Sequence, residues 1–206
     1  MIKIISWNLL RLKGASPDDI ARLIDREHPD ILLMQEVTPD MDEITRRAGG
    51  HYLRSPMPGR CHGLATWSAK ALPRTPVVLP LPPGAMFQRV CQVLDLGDFS
   101  LANVHLSHGQ VLNRRQFRCI AKVLQPRAAV LGDYNFIGPA LLSGFRDVGP
   151  RKRTHIAGGV VPLRIDRCLV RGLTCTEARI LGQEASDHRP IVVRLSPVAD
   201  SRSIAA

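Results

Sequence analysis

The chain has 206 residues, of which 45% are hydrophobic and 22% charged, a composition that excludes a largely disordered protein. None of its apolar runs approaches the roughly 20 residues of a membrane-spanning helix. The net charge of +10, from 28 Lys and Arg against 18 Asp and Glu, favours a polyanionic partner: nucleic acid, an anionic membrane or a phosphorylated metabolite. The alternative is that the arginine content reflects genome composition and carries no functional information.

The organisation of the chain is predicted to be simple. No break in composition divides it, so we expect one domain over residues 1–197 and a flexible tail over residues 198–206. The N-terminal segment is too short and too quickly polar for a signal peptide, which predicts a cytoplasmic protein. Five cysteines without a Cys-x-x-Cys pair predict reduced, mostly buried thiols rather than disulfides or a zinc site.

Apolar periodicity predicts alternating strands and helices in the N-terminal half. Ser16 is expected to cap a helix that begins at Pro17, because serine accepts from a free backbone N–H and proline suits the first helical turn. The predicted elements are a strand over residues 2–8, a helix over 17–27, a buried strand over 31–34, a helix over 39–48 and a strand over 63–68.

Strands dominate the predicted second half. Five prolines restrict residues 72–83 to an edge strand or an extended connector. The remaining elements are a hairpin over 89–106, a helix over 111–124, and strands over 128–131, 163–170, 178–181 and 191–195. Strands outnumber helices, which predicts two sheets packed face to face with helices outside.

Polar residues follow most of the predicted strands at the point where each apolar run ends. Any one of them has a structural explanation, such as a turn former or a solvated carboxylate. Together they predict a cleft, because core-anchored strands present polar groups to a cleft at their ends. The residues are Asn8, Glu36, His105, Asp133, Asn135, Asp166, Asp187 and His188.

These residues lie in six motifs whose order resembles that of the endonuclease/exonuclease/phosphatase superfamily. The resemblance spans residue 2 to about residue 195 and implies an α+β, DNase I-like fold: a four-layer α/β/β/α sandwich of two packed mixed sheets flanked by helices. The chain looks like a short bacterial-type member. The motifs are Ser6-Trp7-Asn8, Gln35-Glu36, Val104-His105-Leu106, Gly132-Asp133-Tyr134-Asn135, Arg164-Ile165-Asp166-Arg167 and Ser186-Asp187-His188-Arg189-Pro190.

The resemblance also implies a divalent cation. Glu36 would be its principal ligand, and Asn8 and Asp187 would complete or orient the ligand shell. Carboxylate and carboxamide oxygens suit Mg²⁺ or Mn²⁺, which bind few protein ligands and keep several waters. Such a cation polarises the phosphate in phosphodiester hydrolysis.

The catalytic roles are implied in the same way. Asp133 and Asn135 would hold the attacking water and the phosphate. His188, steered by Asp166, would act as a base or as a donor to the transition-state oxygens. His105 would donate to the phosphate or the leaving group.

The sequence departs from the superfamily pattern near His105. The region where secreted members carry an acidic partner for this histidine, residues 59–62, has no carboxylate, so His105 either works without one or only binds phosphate. Four basic residues are predicted to contact substrate phosphates; for the last of them the sequence leaves open whether it faces substrate or packs outward. They are Arg151, Lys152, Arg153 and Arg189.

Further departures narrow the activity. Leu10 and His105 replace residues typical of abasic-site endonucleases, and residues 161–165 lack the motif of inositol polyphosphate 5-phosphatases. Neither an exposed apolar hairpin nor a secretion signal, both usual in neutral sphingomyelinases, is visible.

The leading prediction is a metal-dependent hydrolase, an endonuclease or exonuclease cutting DNA or RNA with little sequence preference. The alternative is a phosphatase or phosphodiesterase acting on a phospholipid head group or a small phosphorylated metabolite. A third hypothesis is a non-catalytic basic binding module. Few aromatic residues are available for base stacking, with Phe87, Tyr134 and Phe136 as candidates.

Overall fold

The computed structural model describes residues 1–11, 13–84 and 88–198 and places most of their strands in two six-stranded sheets packed face to face. In chain order the strands are β1 (Ile2–Asn8), β2 (Ile31–Val37), β3 (His51–Pro56), β4 (Gly63–Ser68), β5 (Val77–Pro80), β6 (Val90–Asp95), β7 (Ser100–His105), β8 (Ala128–Asp133), β9 (Arg146–Asp147), β10 (His155–Ala157), β11 (Val161–Leu163), β12 (Asp166–Arg171), β13 (Leu173–Ile180) and β14 (Ile191–Pro197). The α-helices of the described residues are α1 (Pro17–Glu27), α2 (Ile44–Ala48) and α3 (Gln110–Ala121).

The layers follow from the alternation of side chains along each strand. In β1, Ile4 packs between the sheets, whereas Ile5 packs beneath α1 and α2. On the second sheet, Phe117 and Ile120 of α3 pack against strand residues such as Val130. The resulting order is helices, sheet, sheet, helix, so the predicted four-layer α/β/β/α sandwich is confirmed.

Both sheets are mixed, as predicted, and their parallel pairs position the functional residues. The strand orders are β13-β14-β1-β2-β4-β3 and β5-β6-β7-β8-β12-β9, in which β1 runs parallel to β2 and β7 parallel to β8. Parallel neighbours end at the same edge of a sheet. β12 and β14 run antiparallel to β8 and β1 and therefore begin at that same edge.

The boundaries of several elements differ from the sequence-based predictions. The predicted helix over residues 39–48 consists of a 3₁₀ turn, Pro39–Glu43, followed by the short α2. The predicted strand over 163–170 begins only at Asp166, because Val161–Leu163 pairs with His155–Ala157 in a separate hairpin. That hairpin, whose Val160 and Val161 are exposed, was not predicted, and neither were β3 and β9.

The structure also bears on the predictions about cysteines and membrane-spanning helices, but not on those for Phe87 and the C-terminal tail. All five cysteines lie in the described residues and none of them is in a disulfide. Cys91 and Cys168 are buried, whereas Cys119 and Cys175 are partly buried and Cys61 is exposed, so fewer thiols are buried than predicted. No helix within the described ranges is long and apolar enough to cross a membrane. Phe87 and residues 199–206 lie outside the described residues, so the flexible tail stays a prediction.

A partly buried ion cluster ties the end of α1 to the first sheet. Lys3 Nζ lies 3.0 Å and Arg179 Nη2 2.6 Å from Glu27 Oε2, and Lys3 Nζ also donates to the Glu27 carbonyl. Burial alone would raise the pKa of Glu27, but the hydrogen bonds from Arg179 and Lys3 outweigh it and lower the pKa. A lowered pKa means that this carboxylate stabilises the fold above its unfolded pKa and loses that effect as pH falls.

We predict that Glu27→Gln lowers the free energy of unfolding at pH 7 by about 1 to 2 kcal/mol, because it removes the carboxylate paired with Lys3 and one of the two carboxylates paired with Arg179, which keeps Glu177. The difference from wild type shrinks as pH falls below the unfolded pKa of about 4.5 and through the lower pKa of the native chain, because protonation removes the charge of Glu27. Urea unfolding at several pH values measures this. Glu43→Gln, in an exposed pair with Arg46, is the matched control; an equal loss in both variants would contradict the prediction.

Candidate active site

A cleft of about 250 Å³ lies at the edge where β1, β2, β7 and β8 end and β12 begins. Seven of the eight predicted strand-end residues line it: Asn8, Glu36, His105, Asp133, Asn135, Asp187 and His188. The eighth, Asp166, is buried and hydrogen-bonded to His188. The fold therefore brings together all eight residues that the strand-end pattern singled out.

The backbone around the cleft adopts conformations that L-residues rarely take. Leu10, Glu36 and Asn135 have φ values of 53°, 57° and 52°. At Glu36 a bulge in β2 interrupts pairing with β4 between Gln35 and Val37. Gly132 has φ 145°, and a Cβ there would lie 2.0 Å from the Val104 carbonyl oxygen, so only glycine fits. Backbone strain of this kind concentrates at functional sites.

His188 and Asp166 form a buried pair. His188 Nδ1 lies 2.9 Å from Asp166 Oδ2. Thr154, fully buried, accepts from the N–H groups of Ile165 and Asp166 at 3.2 and 3.0 Å, and Trp7 Nε1 donates to the His188 carbonyl at 2.9 Å. The backbones of both residues are thus held in place, and because Nδ1 is bound to Asp166, Nε2 is the ring nitrogen of His188 that lies near Asp133.

Asp133 is the centre of the polar contacts. Its carboxylate accepts from Asn8 Nδ2 at 3.0 Å and from the Asn135 N–H at 2.9 Å. The Nε2 atoms of His105 and His188 lie 3.5 and 3.8 Å from Asp133 Oδ2. Burial raises the pKa of Asp133 to about 6, against the opposing effect of His188.

The two histidines beside Asp133 differ in protonation. Burial lowers the pKa of His188, but Asp166 and Asp133 outweigh it and raise the pKa to about 10, so this ring is an imidazolium at pH 7. Burial, followed by the charge of Arg89, lowers the pKa of His105 well below its usual range, so that ring is neutral. Asp133 Oδ2 therefore has both a charged donor and a neutral imidazole within 4 Å.

Three residues of the cleft lining carry oxygen donors of the kind that suits a hard divalent cation. Glu36 and Asp187 supply carboxylates, and Asn8 supplies a carboxamide oxygen, since its nitrogen is taken by Asp133. Asn8 Oδ1 also accepts from the Leu10 N–H at 3.1 Å, which orients it. Oxygen donors from three separate segments around one cleft fit Mg²⁺ or Mn²⁺.

Comparisons with known proteins bear on this arrangement. The model of the Endonuclease/Exonuclease/phosphatase family matches residues 5–188. The chain belongs to this family. Its members are phosphoesterases, so phosphoester hydrolysis is the activity that family membership supports.

Individual relatives are more distant. Recombination repair protein 1 of Drosophila melanogaster is 40% identical over 71 residues, which cover 32% of this chain and 10% of that protein. Three solved structures share the fold at low identity: a functionally unknown conserved protein from Enterococcus faecalis (18% identity, TM-score 0.77, covering 96% of this chain and 100% of that one), truncated TDP2 from Caenorhabditis elegans (22%, 0.68, 93% and 96%) and a mannosyl-6-phosphatase from Bacteroides thetaiotaomicron (16%, 0.71, 95% and 100%).

The predicted phosphate-binding residues lie outside the cleft lining of this family member. Arg151, Lys152 and Arg153 are exposed, and Arg151 Nη2 lies 3.3 Å from the Asp147 carbonyl. Arg189 donates through Nε and Nη2 to the Leu181 carbonyl at 2.9 and 2.6 Å, a geometry that favours a packing role. Substrate contact by these four residues stays a prediction.

The cleft contains residues that the sequence analysis did not single out. His155, His62, Arg89, Arg11 and His108 line it, and Arg11 Nη1 lies 2.9 Å from His62 Nε2. The strand-end pattern could not find His155, because the short hairpin that carries it has no alternating apolar pattern. Arg89 directly precedes β6. His62 and Arg11 lie in loops.

Tyr134 and Phe136, two of the aromatic residues considered for base stacking, are not available for it. Tyr134 is fully buried, donates to the Val130 carbonyl at 2.8 Å and packs edge-on against Phe117. Phe136 is 7% exposed and lies under the guanidinium of Arg167. Both rings belong to the core.

We predict that Asp166→Asn lowers the pKa of His188 towards its ordinary value of 6.5 by at least about 1 unit, because the largest charge that favours the imidazolium is removed. An NMR pH titration of the His188 ring in metal-free protein measures this.

The raised pKa stabilises the fold fully below pH 6.5 and less as pH rises through about 10. The variant should therefore lose stability at pH 7. Asp25→Asn, at an exposed helix position, is the control; an unchanged His188 titration in Asp166→Asn would contradict the assignment.

Proposed function

We propose that this protein is a divalent-metal-dependent phosphodiesterase that cuts nucleic acid with little sequence preference. The observation that carries the proposal is the grouping of Asp133 with the His188–Asp166 pair in the cleft that Glu36, Asn8 and Asp187 also line. Hydrolysis of a phosphodiester needs a positive charge next to the non-bridging oxygens, a water aligned for attack, and a group that stabilises the leaving oxygen. The cleft offers residues for each requirement.

Glu36, Asn8 and Asp187 would hold Mg²⁺ or Mn²⁺. When bound, the cation would supply positive charge to the non-bridging oxygens of the phosphate. The buried cation Arg89 lies close enough to Glu36 and Asp133 for their charges to act on it, so these carboxylates also offset a positive charge that would otherwise repel a metal ion.

The remaining residues act on protons and oxygens. His188, kept cationic by Asp166, donates from Nε2 to a phosphate oxygen and stabilises its growing charge. Asp133, whose pKa burial raises to about 6, accepts the proton of the attacking water, with the Asn135 N–H orienting its other oxygen. His105, neutral and 3.5 Å from Asp133, binds phosphate or the leaving group as a hydrogen-bond partner.

Charge and kinship support nucleic acid as the substrate. The net charge is +10, and the exposed loop Arg151, Lys152 and Arg153 precedes the hairpin that carries His155 of the cleft. A polymer would follow such a surface through its phosphates. The relative with 40% identity over 71 residues is named for recombination repair.

A second candidate substrate is a phospholipid head group or a small phosphate ester. The exposed Val160 and Val161 at the tip of the β10–β11 hairpin, near the same basic loop, favour a lipid surface. One structural neighbour is a mannosyl-6-phosphatase. The third hypothesis, a non-catalytic basic module, is disfavoured by the presence of all eight cleft residues.

We predict cleavage of supercoiled plasmid or single-stranded DNA with Mg²⁺ or Mn²⁺ and none with EDTA. His188→Ala and Asp133→Asn should each lower the rate about 10²- to 10⁴-fold, since each removes a group that handles a proton or transition-state charge. His51→Ala, at an exposed position on β3, is the control. Folded protein that leaves DNA and RNA intact in both metals would contradict the nuclease proposal; phosphate release from monoesters, or cleavage of lipid in vesicles, would select the second candidate.

We predict that the triple variant Arg151→Ala, Lys152→Ala, Arg153→Ala raises KM for DNA with little change in kcat, because phosphate contacts away from the reacting atoms bind substrate and transition state alike. The slope of log affinity against log salt should fall by about 2 to 3. A charge-matched control replaces the exposed Arg22, Arg46 and Lys70, on α1, on α2 and after β4. Equal salt slopes in the two triple variants would rule out the loop as a phosphate contact.

A further inference from the structure

The β10–β11 hairpin aligns a second histidine with His188. The Ile156 N–H donates to the Asp187 carbonyl at 3.1 Å, and the Arg189 N–H donates to the Thr154 carbonyl at 2.7 Å. His155 and His188 are therefore opposite one another in a short antiparallel bridge, and their ring centroids lie 4.2 Å apart. Directly opposite side chains share one face of the pair. The backbone thus fixes His155 beside the Asp187–His188 turn.

His155 Nδ1 is a buried polar atom without a hydrogen-bond partner. The nearest carboxylate oxygen, Asp187 Oδ2, lies 3.8 Å away, too far for a hydrogen bond. A buried imidazole nitrogen left unsatisfied costs free energy, and in native proteins such atoms are rare. Here the unsatisfied nitrogen faces a carboxylate and a second imidazole, which is the surrounding of a metal ligand rather than of a core histidine.

The spacing of the three groups matches a transition-metal site. The ligand atoms of His155, Asp187 and His188 all lie within 4.8 Å of one another, and His188 Nε2 is 4.0 Å from Asp187 Oδ1. Ligands bonded at about 2.1 Å to one ion lie roughly 3 to 4.2 Å apart, depending on the bond angle. Side-chain rotations that bring these atoms closer by up to about 1 Å would close the site.

The hydrogen bond behind His188 is also typical of a histidine that binds a metal ion. Histidines that bind metals usually donate their other ring N–H to a carboxylate, which fixes the tautomer. His188 makes this contact, through Nδ1 to Asp166 at 2.9 Å. The second candidate group of the described residues, Asp133 with Asp166 and His188, is less suitable because Asp166 is already bound to that nitrogen.

We propose that His155, Asp187 and His188 form a binding site for a nitrogen-preferring divalent cation such as Zn²⁺ or Co²⁺, distinct in chemistry from the oxygen-only set of Glu36, Asn8 and Asp187. Two imidazoles and one carboxylate favour such ions over Mg²⁺. Because the ion replaces the proton on His188 Nε2, its affinity is limited by the carboxylates that favour that proton.

The consequence of occupancy rests on the proposed function. The two sets of ligands share Asp187. An ion bound to His188 Nε2 also removes the N–H that would donate to the phosphate. Zn²⁺ added to the Mg²⁺-loaded protein should therefore inhibit phosphodiester hydrolysis. Inhibition should require higher Zn²⁺ in His155→Phe, which keeps an aromatic ring against His188 but lacks the ligand atom.

The binding test uses no phosphoester, so its outcome is independent of whether hydrolysis is found. Co²⁺ is titrated into the full chain in saturating Mg²⁺ and followed by visible absorption and calorimetry. Wild type should bind Co²⁺ with a visible band that Zn²⁺ abolishes. His155→Phe should bind Co²⁺ at least tenfold more weakly than wild type. His51→Phe, which replaces a histidine on β3, should bind Co²⁺ as tightly as wild type.

Two outcomes would overturn the site: no Co²⁺ uptake by wild type, or the same affinity and spectrum in His155→Phe as in wild type. Thermal unfolding verifies that His155→Phe is folded. If it is not, His155→Gln, which lacks an imidazole and leaves the hairpin backbone unchanged, takes its place with the same expected loss. Equal Co²⁺ binding by the folded replacement would likewise exclude His155 as a ligand.

Discussion

The hydrogen bond from Asn8 Nδ2 to Asp133 Oδ2, 3.0 Å long, joins the two sheets at the floor of the cleft. Asn8 ends β1 of one sheet and Asp133 ends β8 of the other, so this contact fixes the proposed cation ligands relative to the proposed proton acceptor. It also orients both partners: the Asn8 oxygen is left for Leu10 and the cleft, and the Asp133 carboxylate lies between two histidines. The chemistry of the cleft therefore depends on how the sheets stack.

A buried chain of amides controls that stacking. Gln35 Nε2 donates across the sheets to Asn103 Oδ1 at 2.8 Å, and Asn103 Nδ2 donates to Gln92 Oε1 at 2.9 Å, which also accepts from Thr66 at 3.0 Å. Apolar side chains alone would allow the sheets to slide at little cost, whereas displaced amides would leave buried donors unsatisfied. Since Gln35 directly precedes the bulge at Glu36, the core sets the position of the principal proposed ligand.

Strand ends could be predicted from the sequence because local apolar runs mark them, and parallel pairing then brings those ends together. This reasoning found Asn8 and Asp133 without coordinates. It could not find His155, because the β10–β11 hairpin has no alternating apolar pattern and is held by hydrogen bonds to residues more than 30 positions away. It also could not predict what Arg189 contacts. The sequence around an arginine is the same whether its guanidinium faces a substrate phosphate or donates to a backbone carbonyl, as Arg189 does to Leu181.

The same limit applies to protonation. His105 and His188 each follow an apolar strand or precede one, and each has its Nε2 within 4 Å of Asp133. Burial lowers the pKa of both rings, but Asp166 and Asp133 outweigh it for His188, whereas the charge of Arg89 adds to it for His105. The charged group that the fold brings from a distant segment therefore decides whether a buried histidine is a cation or a neutral ring. A single carboxylate oxygen thereby acquires one charged and one neutral imidazole as neighbours.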